Sequence, residues 1–466
     1  SDLKLLNHDE LEELADDLSN YIHEVIYKLG GHYSSPLGVI ELTIALHYVF
    51  NTPEDKLIWD VGHQAYAHKI LTGRKEEFSK IRQFNGISGF LKMDESEFDS
   101  FGAGHTSTSI SAALGFAHAR DKKKSKEKVL AIIGDGAMTG GLAYEGLNNL
   151  GFHRTQLTII LNDNSYSISE SVGALSKYLT KITTSPIYNK LREDIWKFSG
   201  KIPAGSNLIR KFLKKTEEGI KVSLTPGGFF EELGIRYIGP IDGNNIKELI
   251  KVFKRIKDIN TPLLLHIHTN KSNRINNSFK DKDAIKYYSL SPKLNTKHDN
   301  PNLYSFSKVF GESIMSLAED INFQCITAAM KLGTGLNDFS IKYPNRYIDV
   351  GIAEQHALTY SSGLSASGII PIIAIYSTFI QRAYDQIIHD LALQELPAII
   401  CMDRSGLVAN DGPTHHGIFD ISFLRLIPNI IVTAPANGYE LHDLIYTALK
   451  SNKIFAIRYG KINTEY

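Results

Sequence analysis

Short, β-branched apolar runs alternate with segments of helical periodicity along most of this chain. Residues 8–29 carry Leu11, Leu14, Leu18, Ile22, Val25 and Ile26 at helical spacing, which predicts an amphipathic helix. Strands are predicted at 57–61, 129–133, 157–161 and 262–267, and helices at 38–49, 64–70, 106–120 and 140–150. Such alternation implies βαβ units and a parallel sheet with helices on both faces.

A helical excursion with mobile joints is expected over 175–225, where strand signals thin out and Lys, Ser, Gly and Pro rise. Residues 269–303 are polar, Asn- and Lys-rich and almost aperiodic, a linker signature that falls at 271–302. A second α/β run follows, with strands at 323–328, 346–350, 370–375, 398–402, 430–433 and 454–458. Its helices are predicted at 305–319, 354–367 and 379–394. The expectation is an α/β chain of two doubly wound domains with mainly parallel sheets, 1–270 and 303–466.

Composition narrows the class. A chain of 466 residues exceeds one hydrophobic core. Lys+Arg and Asp+Glu are both 51, so no global basic field exists to draw nucleic acid, and no nucleic-acid partner is expected. The basic runs at 121–124 and 210–215 read as solvated faces. Two cysteines, Cys325 and Cys401, lie in apolar strands, too few for a disulfide framework and suited to a reducing compartment. No apolar stretch approaches the ~18 residues of a membrane span. The N-terminus has no transit-peptide character, so the chain is expected to be soluble, cytoplasmic in a bacterium or plastid-type in a eukaryote.

Chemistry gathers past the predicted strand ends. Gly134-Asp135-Gly136 follows one apolar run, and Asn162-Asp163-Asn164 follows the next. Taken singly these are an Asp-Gly turn and an Asn-rich loop. Together they put a carboxylate and an amide oxygen where open α/β sheets bind ligands, a pair suited to Mg2+ beside phosphate oxygens. The flanking glycines let the backbone approach a diphosphate closely. Glu354 opens a helix after a strand and could be a helix N-terminal Glu or a carboxyl in an apolar cleft. Of the 17 histidines, His8, His47, His118, His153, His298, His389 and His442 are assigned no role. His32, His63 and His105 each follow Gly in a loop, and His415 follows Asp411-Gly412-Pro413-Thr414. No metal-ligand spacing links the histidines, so no zinc site is expected. Tyr376, Arg404 and Arg458 stand at neighbouring strand ends, where two guanidinium groups suit a phosphate or carboxylate clamp or structural ion pairs.

The Gly-Asp-Gly and Asn-Asp-Asn pattern resembles the thiamin diphosphate signature of the transketolase superfamily. Gly30-Gly31-His32, residues 59–66 (Trp-Asp-Val-Gly-His-Gln-Ala-Tyr), 104–109 (Gly-His-Thr-Ser-Thr-Ser), 349–356 (Asp-Val-Gly-Ile-Ala-Glu-Gln-His) and 376–385 are similar to the 1-deoxy-D-xylulose-5-phosphate synthase family. The resemblance runs from about residue 1 to 460. It implies two thiamin diphosphate-binding domains, with the usual third C-terminal domain expected to be absent.

The resemblance also implies site roles. Asp135, Asn164 and the Tyr166 carbonyl would hold Mg2+; the family usually has Met at that last position. His63, Ser107, Gly136 and Ala137 would surround the diphosphate, with Gly134 and His105 beside them, and Ile168 would bend the cofactor. Glu354 would hydrogen-bond the aminopyrimidine and promote the tautomer that deprotonates the thiazolium carbon, the start of the carbanion chemistry. Phe379 would stack on that ring, with Arg382 beside it. His32, His63, His415, Asp411 and Arg382 would share the catalytic work with Glu354. His32, Asp411 and His415 would meet substrate, while Tyr376, Arg404 and Arg458 would hold its phosphate. Lys271 would bind cofactor, although the linker departs from the family's Lys-Lys-Gly-x-Gly-Tyr pattern, with Tyr288 near the expected His.

The implied reaction is decarboxylation of pyruvate and condensation with D-glyceraldehyde 3-phosphate, feeding isoprenoid, thiamin and pyridoxal synthesis. Two alternatives stay open: transketolase-type ketol transfer, or a trimmed cofactor-binding core with weak activity. A homodimer is expected, because apolar helical faces of such cores are usually completed by a partner.

Overall fold

The computed structural model describes residues 2–164, 173–175, 177–179, 227–270, 274, 289–290, 303–408 and 411–466. Tyr166, Ile168, Lys271 and His298 lie outside them, as do most of 175–225 and of the predicted linker.

The first helix, His8–Leu29, begins at a reciprocal cap: Asn7 accepts from the Asp9 and Glu10 amides, and Glu10 accepts from the Asn7 amide. A five-stranded sheet follows, ordered Lys56–Trp59, Val129–Gly134, Thr158–Asp163, Leu263–His268, Arg236–Asp242, with every neighbour parallel. Successive residues face opposite layers. Leu57, Trp59, Leu130 and Ile132 pack under His8–Leu29, Ile40–Val49 and Ile246–Ile256. Ile58, Ala131, Ile133 and Ile159 pack under Ser109–Lys123 and Gly141–His153. Burial on both faces explains why the runs are uniformly apolar rather than alternating.

The second sheet is ordered Tyr347–Asp349, Gln324–Thr327, Pro371–Tyr376, Ala398–Asp403, Ile454–Arg458, Ile430–Thr433, again wholly parallel. Cys325, Ile372, Ile399 and Phe455 meet helices Phe306–Leu317 and Gly438–Ser451 on one side. Ile326, Ile373, Ile400 and Ala456 face the layer of Glu354–Ala366 on the other. Both cysteines are free and buried. Among the described residues, no helix is long and apolar enough to cross a membrane.

Three differences from the sequence reading bear on the site. The strand placed at 157–161 runs on through Asp163, because Asn162 pairs with Gly134 in the ladder and His266 bonds Asp163, leaving only Asn164 past its end. Arg236–Asp242 is an additional strand, unread because Gly239-Pro240 interrupts it; its register shifts between Ile238 and Ile241, and an edge position tolerates proline. The single helix predicted at 379–394 is a succession of short turns, Ser377–Ile380, Gln381–Ala383, Tyr384–Gln386 and the wider Ile387–Ala392. The irregular stretch begins where Arg382 turns to bond Thr106 of the first unit.

Candidate active site at the junction of the two sheets

The carboxyl-end loops of the two sheets meet. Arg382 donates to the Thr106 hydroxyl at 3.0 Å and also to its carbonyl. His105 Nε2 lies 2.8 Å from the Thr414 carbonyl and 3.2 Å from the Thr378 hydroxyl. Gly104 has φ +154, and a Cβ there would stand 2.6 Å from that of Thr414, so only glycine allows this approach.

On the first-unit side, the Asp60 carboxylate accepts from the backbone amides of Ser107 (2.7 Å) and Ser109 (3.0 Å). Ser107 in turn donates its hydroxyl to the Ala137 carbonyl at 2.7 Å. This clamp holds 105–109 against the segment that follows Gly134-Asp135-Gly136. Asp135 is buried, and its amide donates to the Asn162 carbonyl at 3.2 Å, joining the two strand ends. The Oδ1 of Asn164 is buried with no hydrogen-bond partner among the described residues. A buried carbonyl oxygen without a donor costs roughly 1–3 kcal/mol unless a ligand meets it. An amide oxygen beside a buried carboxylate fits a small hard cation, so the donor set suits Mg2+.

On the second-unit side, Glu354 begins helix Glu354–Ala366 and is 5% exposed. Burial raises its carboxyl above the ordinary value despite the opposing charge of Arg382, 3.9 Å away. Phe379 lies edge-on to His105 (5.1 Å between centroids) and to His415 (5.4 Å), and stacks with Tyr376 (5.7 Å). His32 packs against His63 at 5.2 Å and against Phe90 at 5.7 Å, and Phe90 stacks on His415 at 4.8 Å. The four loop histidines thus belong to one cluster. Burial pulls His32 well below its usual value, reinforced by His63, and lowers His105. It takes His415 down to about 4, against the pull of Asp411.

Arg404 stacks its guanidinium 3.9 Å above the Tyr376 ring. Arg458 Nε donates to Asp420 at 3.1 Å, and Ser377 donates to the same oxygen at 2.9 Å. Their backbones are coupled through the ladder, where Met402 pairs with Arg458 and Tyr376 with Asp403.

Arg82 is the main residue that sequence reasoning missed. Its guanidinium donates to Asp411 at 2.5 Å and lies 3.3 Å from His32. Burial pushes the Asp411 carboxyl up, yet Lys461, Arg82 and His415 outweigh it and hold it well below the usual range. Arg82 sits in a polar stretch that reads as solvated loop. Its one signal is Gly31, with φ +130, where a Cβ would come within 2.9 Å of the Arg82 side chain. His47, given no role, is buried and joined to His68 (3.0 Å), which meets Asp99 (3.2 Å) in a polar network of the first unit.

A 1-deoxy-D-xylulose-5-phosphate synthase family model matches residues 1–269, and a transketolase pyrimidine binding domain model matches 304–465. The chain is 51% identical to the 1-deoxy-D-xylulose-5-phosphate synthase of Alkaliphilus oremlandii over 99% of its own length and 74% of that protein's. It is 49% identical to the synthase of Natranaerobius thermophilus, over 99% and 73%. Transketolase from Campylobacter jejuni overlays loosely, with a TM-score of 0.42 at 18% identity over 99% and 80% of the two chains. At half identity across almost its whole length, the chain belongs to the 1-deoxy-D-xylulose-5-phosphate synthase family.

Proposed function

We propose that this chain decarboxylates pyruvate and joins the remaining two-carbon unit to D-glyceraldehyde 3-phosphate, giving 1-deoxy-D-xylulose 5-phosphate and CO2. The observation that carries the reading is the junction itself: a buried Glu354 carboxyl, and a Phe379 ring in contact with two of the four clustered histidines and with Tyr376, over which Arg404 lies. The family is thiamin diphosphate-dependent. When bound, the cofactor supplies the carbanion-stabilising chemistry that no side chain provides.

The protein groups have separate tasks in this reading. Glu354 holds or shares a proton at the pyrimidine nitrogen, a task suited to a carboxyl whose affinity for protons burial has raised. Phe379 would stack on that ring with Arg382 beside it, while Ser107, His63, His105, Gly134, Gly136 and Ala137 would surround the diphosphate. Asp135 and Asn164 would hold Mg2+; Tyr166, the third ligand implied by the family resemblance, lies outside the described residues. His32 and His415, neutral near pH 7 through burial, hydrogen-bond the donor-derived group and move its protons. Asp411 meets substrate beside His32 and His415, and Tyr376, Arg404 and Arg458 bind the acceptor phosphate. The division at 270 and 303 belongs to the same reading, supported by the five-stranded parallel sheet, whose last strand in the chain ends at His268, and the six-stranded one, whose first begins at Gln324. Exposed Ile418, Phe419, Ile421 and Leu426 support a homodimer.

Labelled pyruvate supplied with D-glyceraldehyde 3-phosphate, thiamin diphosphate and Mg2+ tests the reading. Stoichiometric labelled CO2 and a five-carbon phosphate are expected. Ketol transfer from a ketose phosphate, with no CO2 from pyruvate, would instead establish the transketolase alternative. Binding of cofactor without turnover would establish the weak-core alternative.

A further inference from the structure

Behind the two acceptor-site arginines lies a carboxyl that the chemistry above does not use. Asp403 ends strand Ala398–Asp403 and is fully buried. Its Oδ2 accepts from the Ser307 hydroxyl at 2.7 Å, fastening the strand end to helix Phe306–Leu317. Its Oδ1 is buried and has no hydrogen-bond partner of its own among the described residues. The Tyr459 hydroxyl nearby is buried in the same condition, and the Asp403 charge adds to the burial that pushes that phenol up.

A buried, half-satisfied carboxyl is costly and calls for a reason. The next residue supplies one. Arg404 has φ +60, a left-handed backbone that a long side chain rarely adopts. That turn carries its guanidinium over Tyr376, the ladder partner of Asp403. Burial pushes the Asp403 carboxyl up to about 6 even though the Ser307 hydroxyl, the Arg404 charge and backbone N–H, and Lys461 all favour its charged form. The carboxyl thus immediately precedes the residue whose backbone is strained and is itself pinned from behind by Ser307.

We propose that Asp403 is a positioning residue for acceptor selection: braced by Ser307, it holds Arg404 in the left-handed turn that lays its guanidinium on Tyr376. The proposal rests on the reading that Arg404 binds the acceptor phosphate. On this view preference for a phosphorylated aldehyde depends on a side chain that never touches it.

Asp403→Asn preserves the size of the group and removes its charge. The ratio of kcat/KM for D-glyceraldehyde 3-phosphate to that for unphosphorylated D-glyceraldehyde should fall about 5- to 10-fold, as expected for one weakened hydrogen-bonded contact. The fall should lie in KM for the phosphorylated aldehyde, with KM for pyruvate and the melting midpoint unchanged. Equal losses with both aldehydes, or a lowered melting midpoint at an unchanged ratio, would overturn the proposal. Ser307→Ala, which removes only the brace, should move the ratio the same way and carries the test if Asp403→Asn fails to fold. Arg404→Ala separates the two layers. If it collapses the ratio while Asp403→Asn and Ser307→Ala leave it intact, the acceptor reading stands and the role of Asp403 falls. If Arg404→Ala itself leaves the ratio intact, the acceptor reading fails and takes the proposal with it.

Discussion

Arg382 bonds Thr106 in one unit and stands 3.9 Å from Glu354 in the other, so one guanidinium links the first unit's loop to a buried carboxyl of the junction. Burial dominates that carboxyl and raises it; Arg382 only moderates the shift. The folded chain therefore keeps the Glu354 proton to higher pH than the unfolded chain. The contribution of Glu354 to stability is largest below its unfolded value and declines as pH rises through its raised folded value. Glu354→Gln should remove that decline while lowering turnover by about 10²- to 10⁴-fold, the usual scale of a lost acid–base group. Melting midpoints of both proteins across pH, beside initial rates, check this; an identical pH slope in the variant would refute it.

Asn164 presents a buried oxygen with no donor among the described residues, and Asp135 a buried carboxylate past the neighbouring strand end. Removing a group that orients a metal ligand costs about 10- to 100-fold in metal affinity, and losing a ligand should cost at least that. Asp135→Ala should abolish Mg2+-dependent binding of thiamin diphosphate and leave the fold intact. Asn164→Ala should weaken binding too, yet leave the metal-free protein no less stable, since the orphaned oxygen leaves with it. Calorimetric titration with and without Mg2+, paired with melting of the metal-free variants, reads both. Unchanged cofactor affinity in Asp135→Ala would show that the ion sits elsewhere.

The Arg82–Asp411 bond also crosses between the two units, and both side chains are largely buried. Removing one partner of such a pair leaves a charge in low dielectric and costs about 3–5 kcal/mol. Arg82→Ala should lower the melting midpoint more than the double variant Arg82→Ala with Asp411→Asn, where no charge is stranded. His415 should stay neutral from pH 5.5 upward in either background, because burial has already taken it down to about 4 and Asp411 only opposes that shift. Histidine NMR titration follows this group directly; a His415 midpoint near 6.5 would contradict the packing described.

The sheets were legible because burial on both faces makes each strand a run of Ile, Leu, Val and Ala, as in Val129–Ile133 and Ala398–Met402. Arg236–Asp242 escaped because Gly239-Pro240 reads as a turn, and only its place at the sheet edge makes it usable as strand. The helix expected at 379–394 was too regular, since periodicity cannot register the pull of Thr106 on Arg382 from a distant loop. The loop histidines and Asp135 announced themselves through adjacent glycines. Arg82, Asp403 and Asp420 did not, because each is bonded to a partner far away in sequence and their neighbours read as ordinary loop or strand end.

Arg404 and Tyr376 give the last prediction. The guanidinium carbon lies 3.9 Å from the ring centroid, and burial pushes the Tyr376 hydroxyl up to about 12, so the phenol stays neutral and the ring keeps its π face for the cation. A desolvated contact of this kind is worth about 2 kcal/mol, and it fixes the plane of the guanidinium fork. Lysine carries the same charge but no planar fork and stacks poorly. Arg404→Lys should therefore lose most of what Arg404→Ala loses in kcat/KM for D-glyceraldehyde 3-phosphate, about 10-fold or more. Tyr376→Phe, which retains the ring, should lose far less, and Tyr376→Ala should approach the arginine variants. Steady-state kinetics on the four variants with both aldehydes decide the matter. If Arg404→Lys behaves like the parent, charge alone suffices and the stacking plays no part in acceptor recognition.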